Sequence, residues 1–254
     1  MGDDERRVTK HFPISQLRFY LTAPAPCPYL PGRRERKVFT ALDGYDAKAL
    51  HDTLTNAGFR RSQTIAYRPA CERCEACISA RVPVERFAFT RRWRKIMARN
   101  ADITRALRPA EAKEEHFRLL RRYLKSRHPD GGMAGMTFSD YAAMVEETAV
   151  HTHIVEYRYS GGPKRGALAG ATLIDVLGDG LSMVYSFFDP DEGNRSLGAY
   201  AILDHIQQAR AAGFSHLYLG YWIPGSEKME YKAAFRPLEI LMGGEWRAYE
   251  PVTF

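Results

Sequence analysis

Three apolar runs in the second half of the chain leave it a narrow choice of fold. His151–Tyr159, Ala167–Val176 and Leu181–Phe188 have strand length and are rich in β-branched and aromatic residues. Ser160-Gly161-Gly162 separates the first pair and Gly178-Asp179-Gly180 the second, and such glycine-bearing connections close tight hairpins. The runs therefore read as an antiparallel meander. Two amphipathic helices precede it, Ala110–Arg127 and Ser139–Val150, separated by the turn-rich Arg127–Met133. After Asp189-Pro190 comes Asn194–Gly198, then a helix with Ile202, Leu203 and Ile206 on one face, stopped by Gly213.

Leu217–Glu239 completes this pattern. Leu217–Ile223 has strand composition and is broken by Pro224-Gly225-Ser226. A short helix over Lys228–Phe235 should follow, ended by Arg236-Pro237, and a last strand spans Leu238–Met242. Gly220 marks a place where another backbone or a ligand can come close. The strand exit gathers Tyr221, Trp222, Lys228, Tyr231, Lys232 and Arg236, more polar aromatics and cations than a core strand needs.

The first half reads differently. Residues 19–32, FYLTAPAPCPYLPG, hold four prolines and no charge, which makes them extended and turn-rich. A strand at Val38–Leu42, a helix at Tyr45–Ala57 closed by Gly58 and a strand at Phe59–Tyr67 lead to Cys71, Cys74 and Cys77. Their C-x2-C-x2-C spacing matches the first three ligands of a ferredoxin-type run, and Cys27 is the only other cysteine. Four such thiols in a cytosolic chain favour an iron–sulfur cluster or zinc over disulfides, with packed or redox-active free thiols as the alternative. Beyond a strand at Arg81–Val84, Thr90 caps a helix with Trp93, Ile96 and Met97 on one face. Arg91, Arg92, Arg94, Lys95 and Arg99 cover the rest, an arrangement suited to nucleic-acid phosphates. Pro109 marks the expected junction between a smaller Cys-bearing α+β domain, 1–108, and a larger domain, 109–254.

The net charge of +7 conceals a division. Residues 1–130 hold 28 Lys and Arg against 15 acids, and residues 131–254 hold 9 against 15. A basic half joined to an acidic one suits a polyanion bound on one side. The N-terminus, MGDDERRVTK, lacks the apolar core of a secretory signal, and no apolar run has membrane-spanning length, so a cytoplasmic protein is expected.

Six segments carry a family resemblance: FYLTAPAPCPYLPGR (Phe19–Arg33), YRPACERCEACISARV (Tyr67–Val82), RHPDGGM (Arg127–Met133), VYSFFDP (Val184–Pro190), RSLGAYAI (Arg195–Ile202) and Leu217–Glu239. In this order they resemble the aminoacyl-tRNA–protein transferases, specifically the bacterial aspartate/glutamate leucyltransferases, relatives of the arginyl-tRNA–protein transferases. The resemblance implies a catalytic half of acetyltransferase (GNAT) type, and the helix–meander–helix–strand order agrees. It implies transfer of leucine from leucyl-tRNA to proteins beginning with Asp or Glu, creating an N-degron. In GNAT folds a glycine-rich loop at the helix after the meander binds the CoA pyrophosphate. Here Arg195-Ser196-Leu197-Gly198 lacks the paired glycines, which points to another phosphate-bearing donor, the tRNA, and no CoA.

An aminoacyl ester is already activated, so the site must position the acceptor amine and stabilise an oxyanion. Tyr221, or Asp189 through water, is a candidate proton relay, and the fold implies backbone N–H groups around Tyr185–Phe187 for the oxyanion. Arg68, Arg81, Lys228, Lys232 and Arg236 are candidates for the acidic acceptor side chain. The rival readings are an arginyl-tRNA donor, a CoA-dependent acetyltransferase, and a non-catalytic iron–sulfur RNA-binding or redox-sensing module.

Overall fold

The computed structural model describes residues 17–44 and 46–250. The charged N-terminus read at Met1–Lys10 and the expected helix start at Tyr45 lie outside the described residues. The first half comprises β1 (Tyr20–Leu21), the short pair β2 (Ala25–Pro26) and β3 (Arg34–Glu35), β4 (Lys37–Ala41), α1 (Ala47–Asn56), β5 (Arg60–Ser62) and β6 (Ile65–Pro69). Four of these strands form an antiparallel sheet in the order β1-β4-β6-β5. α1 buries Leu50 and Leu54. It ends before Gly58, whose φ of +86° is the left-handed turn that stops helices. The strand expected over Phe59–Tyr67 is instead the β5–β6 hairpin, turned at Gln63.

The remaining elements are β7 (Ile78–Pro83), α2 (Arg91–Arg99), β8 (Ile103–Pro109), α3 (Glu114–Arg127), α4 (Phe138–Glu146), β9 (Thr152–Tyr159), β10 (Leu168–Val176), β11 (Gly180–Phe188), α5 (Leu197–Ala211), β12 (His216–Trp222), β13 (Glu239–Met242) and β14 (Glu245–Ala248). Eight strands make one sheet, β14-β13-β7-β12-β11-β10-β9-β8, antiparallel except where β11 meets β12. A meander, a crossing helix and a parallel strand that follows it give the mixed sheet its acetyltransferase-type, GNAT-like character within an α+β fold. The helix expected over Lys228–Phe235 is shorter and tighter, a 3-10 turn at Glu230–Ala234.

Alternation along the strands sorts side chains onto two faces. Trp93 and Ile96 of α2 and Leu203 and Ile206 of α5 pack on one face, and Phe117, Leu120 and Leu124 of α3 with Tyr141 and Val145 of α4 on the other. Full burial of such a side chain contributes about 1.5–3 kcal/mol, which is what holds the helices to the sheet. Trp93 stacks on Phe235 at 4.8 Å, tying the basic helix to the C-terminal turn. Thr90 occupies the N-cap of α2 but its hydroxyl makes no capping bond.

The junction expected at Pro109 does not divide the sheet. β7 and β8 come from its N-terminal side, and β7 lies between β12 and β13. The reason is backbone satisfaction: β12 separates from β11 along most of its length and takes its ladder bonds from β7. The two sheets are also joined by Arg61 of β5, which forms a bidentate pair with Asp175 of β10 at 2.7 and 2.8 Å, both fully buried. No described helix is long and apolar enough to cross a membrane.

Candidate active site

β11 and β12 are paired only through Gly180–Ser182 and His216–Tyr218, and then they part. Each strand carries an extra residue near the parting, Val184 in β11 and Leu219 in β12. Such bulges bend a strand and sharpen its twist, and here they open a split in the sheet. Arg60 of β5 enters it from the other sheet. Its Nη2 donates to the carbonyls of Met183 at 3.0 Å and Val184 at 2.8 Å. Gly220, at φ +73°, makes room: a Cβ there would lie 1.6 Å from Arg60 Nη1. The close approach expected at Gly220, from another backbone or a ligand, is made instead by a side chain, the Arg60 guanidinium.

The three residues read as catalytic fall into different settings. Tyr221 is buried beside the split, and its hydroxyl donates to the carbonyls of Gly58 and Tyr67 at 3.0 and 3.1 Å. Burial raises its pKa well above the ordinary tyrosine range, and its hydroxyl ties two segments together. Asp189 sits in an ion-pair junction with Arg122 at 2.8 Å and Lys164 at 2.9 Å. Burial alone would raise its pKa, but Lys164, the Asp191 N–H and Arg122 outweigh that and hold it below the usual carboxylate range. The junction ties the end of β11 to α3 and to the connection between β9 and β10. Tyr185 follows the bulge on β11 and is half-buried, its phenol shifted upward by burial first and then by Tyr123 and Tyr29.

The five cations separate likewise. Arg81 lies at the far end of β12, bound to Glu239 at 2.8 Å and stacked 4.3 Å from the Trp246 ring centre, so it is committed to structure. Lys232 is buried and donates to the Tyr221 carbonyl. Burial, then the charge of Arg60, pulls its pKa well below the lysine range, and its amine faces the Tyr221 carbonyl inside the fold. Arg68, Lys228 and Arg236 are exposed and form no ion pair with a described residue. Arg68 lies over the Phe59 ring at 5.1 Å, and Arg236 over Tyr249 at 5.8 Å.

On α2, Arg91, Arg92, Arg94 and Lys95 are exposed, likewise without ion pairs to described residues. Arg195 is not free for a phosphate: it grips Asp102 at 2.6 and 3.0 Å and Glu192 at 3.0 Å. Those two carboxylates, one from before β8 and one from the turn before α5, could not be placed by sequence order. Ser196 is exposed at the N-cap of α5, with φ +55° and no side-chain cap bond.

The four cysteines line one pocket together with Tyr29, Arg33 and Tyr221. The backbone N–H groups of Leu30 and Arg36 donate to the sulfurs of Cys27 and Cys71, each at 3.4 Å, and Arg33 donates to Cys74 at 3.2 Å. The Ala76 N–H, followed by Arg33, lowers the Cys74 pKa. Burial and the other three thiols push Cys77 up to about 12. Four soft donors around one pocket, three of them receiving hydrogen bonds, fit a thiolate-loving metal in donor chemistry. As placed, no group of three or more Cys, His, Asp or Glu among the described residues is arranged to hold a metal ion.

Arg60 was not singled out from the sequence. Its only advance signal was Gly220, which announces an approach without naming the visitor.

Two family models cover the chain, the N terminus of arginine-tRNA-protein transferase over residues 25–95 and its C terminus over 115–242, which puts it among the aminoacyl-tRNA–protein transferases. Relatives named aspartate/glutamate leucyltransferase are 60% identical in Phenylobacterium zucineum, covering 94% of this chain and 93% of the relative, and 53% identical in Maricaulis maris, covering 97% and 96%. The chain belongs to the aspartate/glutamate leucyltransferase family. Among solved structures, FemX matches with TM-score 0.45 and 8% identity over 71% of this chain and 61% of that one. L-PGS from Bacillus licheniformis matches with TM-score 0.45 and 11% identity over 61% and 50%.

Proposed function

We propose that the split between β11 and β12 receives the leucyl ester of leucyl-tRNA and passes the leucyl group to the N-terminal α-amine of proteins beginning with Asp or Glu, marking them for N-end rule proteolysis. The amine nitrogen attacks the ester carbonyl. A C–N bond forms, the C–O bond to the terminal ribose breaks, and the amine proton ends on the ribose oxygen. An α-amine with pKa near 8 is partly neutral at cellular pH, so positioning and oxyanion stabilisation do most of the work. The observation that carries this reading is the split itself, opened by two bulges beside Arg60, a cation with no carboxylate partner among the described residues. An arginyl donor would call for a carboxylate, whereas the charged group that enters the split is the Arg60 guanidinium. A CoA donor is disfavoured because Arg195 is occupied by Asp102 and Glu192. The deciding experiment is mass spectrometry of an Asp-initiated peptide incubated separately with leucyl-tRNA, arginyl-tRNA and acetyl-CoA. Addition of one leucine supports the proposal; arginine addition, acetylation or an unmodified peptide overturns it.

The exposed cations of α2 and the arginine Arg68 then divide the two substrates, tRNA phosphates to α2 and the acceptor carboxylate to Arg68, with Lys228 and Arg236 as further candidates. Replacing Arg91, Arg92 and Lys95 by Gln should lower the salt slope of tRNA binding by about three. An unchanged slope removes α2 from that role. Cys27, Cys71, Cys74 and Cys77 would hold zinc or an iron–sulfur cluster as a crosslink between the β2–β3 segment and the loop after β6. Elemental analysis of protein purified without air should find metal that Cys71→Ser and Cys77→Ser lose. Metal-free wild type rules the site out.

A further inference from the structure

We propose that Arg60 is the positioning residue of this acyl site: it holds the bulge of β11 in the shape that aims the strand's backbone at the ester. The proposal rests on reading the split as the site of transfer.

The carbonyls of Met183 and Val184 bracket the bulge at the parting of β11 and β12. Beyond Ser182 the edge of β11 that faced β12 has no ladder partner among the described residues. Bare carbonyls there would direct negative partial charge towards the place where the ester oxygen gains negative charge during attack, the opposite of what an acyl site needs. One nitrogen of Arg60 donates to both carbonyls at once. The side chain spans from one sheet to the other, and its planar guanidinium serves two acceptors while keeping its remaining N–H groups, a geometry a lysine ammonium does not reproduce.

Two features fix this side chain in place. The next residue, Arg61, is locked to Asp175 of β10 by a buried bidentate pair, which anchors β5 against the larger sheet. Gly220 is constrained twice, since its φ of +73° suits glycine and a Cβ would collide with the guanidinium at 1.6 Å from Nη1 and 2.3 Å from Cζ. A glycine in the middle of β12 weakens a strand, and the space it leaves is filled by the Arg60 guanidinium.

The test is steady-state leucyl transfer to an Asp-initiated peptide by wild type, Arg60→Ala, Arg60→Lys and Gly220→Ala, each checked for a cooperative unfolding transition. A positioning role predicts that kcat falls about a hundredfold in Arg60→Ala, with KM for peptide and for leucyl-tRNA held within about threefold. Free guanidinium ion at low millimolar concentration should restore part of the kcat of Arg60→Ala and leave wild type unaffected, which a loss of fold would not allow. Arg60→Lys should lose kcat in the same sense, and it decides the matter if Arg60→Ala does not fold. Gly220→Ala, which removes no charge, should reproduce the kcat loss by displacing the guanidinium. Wild-type kcat in Arg60→Lys or in Arg60→Ala overturns the proposal while leucyl transfer by wild type stands. Absence of leucyl product from wild type itself overturns the functional reading, and this role with it.

Discussion

The two ends of β12 carry the same kinds of side chain and use them in opposite ways. At its N-terminal end, His216 and Tyr218 meet Asp179 at 3.1 and 2.8 Å, and Arg81 meets Glu239 at 2.8 Å and the Tyr218 hydroxyl at 3.1 Å. Every cation there faces a carboxylate. At the C-terminal end, among the described residues, Arg60 bonds only to backbone carbonyls, and Arg68 stands over an aromatic ring. Matched charge closes a surface and stabilises it, whereas cations without anions leave an electrostatic demand that a substrate carboxylate or a polyanion can meet. Arginine and tyrosine as residue types say nothing about which end is which; the partners decide.

The comparison breaks most visibly at Arg68. Arg68→Glu should reduce kcat/KM for Asp- and Glu-initiated peptides about a hundredfold, close to 3 kcal/mol, since a charge-assisted contact becomes a repulsion. Equal activity in the variant and wild type would take Arg68 off the acceptor site. At the opposite end the effect should fall on stability alone. Arg81→Ala, which loses Glu239, Tyr218 and the Trp246 stack, should cost about 1–3 kcal/mol in urea unfolding with kcat unchanged. A large kcat loss with intact stability would show that the closed end takes part in catalysis.

The smallest effect concerns Lys232. Burial depresses its folded pKa, so the amine is neutral in the fold where the unfolded chain binds a proton. The unfolded state then holds more protons, and this group's contribution to stability rises with pH by up to about 1.4 kcal/mol per unit. Lys232→Met removes that linkage. Its advantage over wild type should be greatest near about pH 7 and shrink towards about pH 8.5, as read by urea denaturation. A difference independent of pH would mean that Lys232 is charged in the fold.

Much of the larger sheet was legible because periodicity and glycine punctuation are local properties. The meander, α3, α4, α5 and β12 appear within a few residues of where pattern and turn residues put them. β8, β14 and the β5–β6 hairpin were not read, and these are short or polar strands that form because a neighbouring edge needs hydrogen bonds. The role of β7 as partner of both β12 and β13 was hidden for the same reason.

The candidate site divides along the same line. Residue type and spacing marked the cysteine group, the basic face of α2, the glycine in β12 and the cation-rich exit after it, since each is a statement about near neighbours in the chain. The assignment of Tyr221, Asp189, Arg81, Lys232 and Arg195 to structure, and of Arg60 to the split, rests on partners that lie between 11 and 163 residues away for Lys232 and Tyr221 and 124 away for Arg60. A charge's effect depends on what surrounds it in space and on how much water remains, and both are settled only when the two sheets come together.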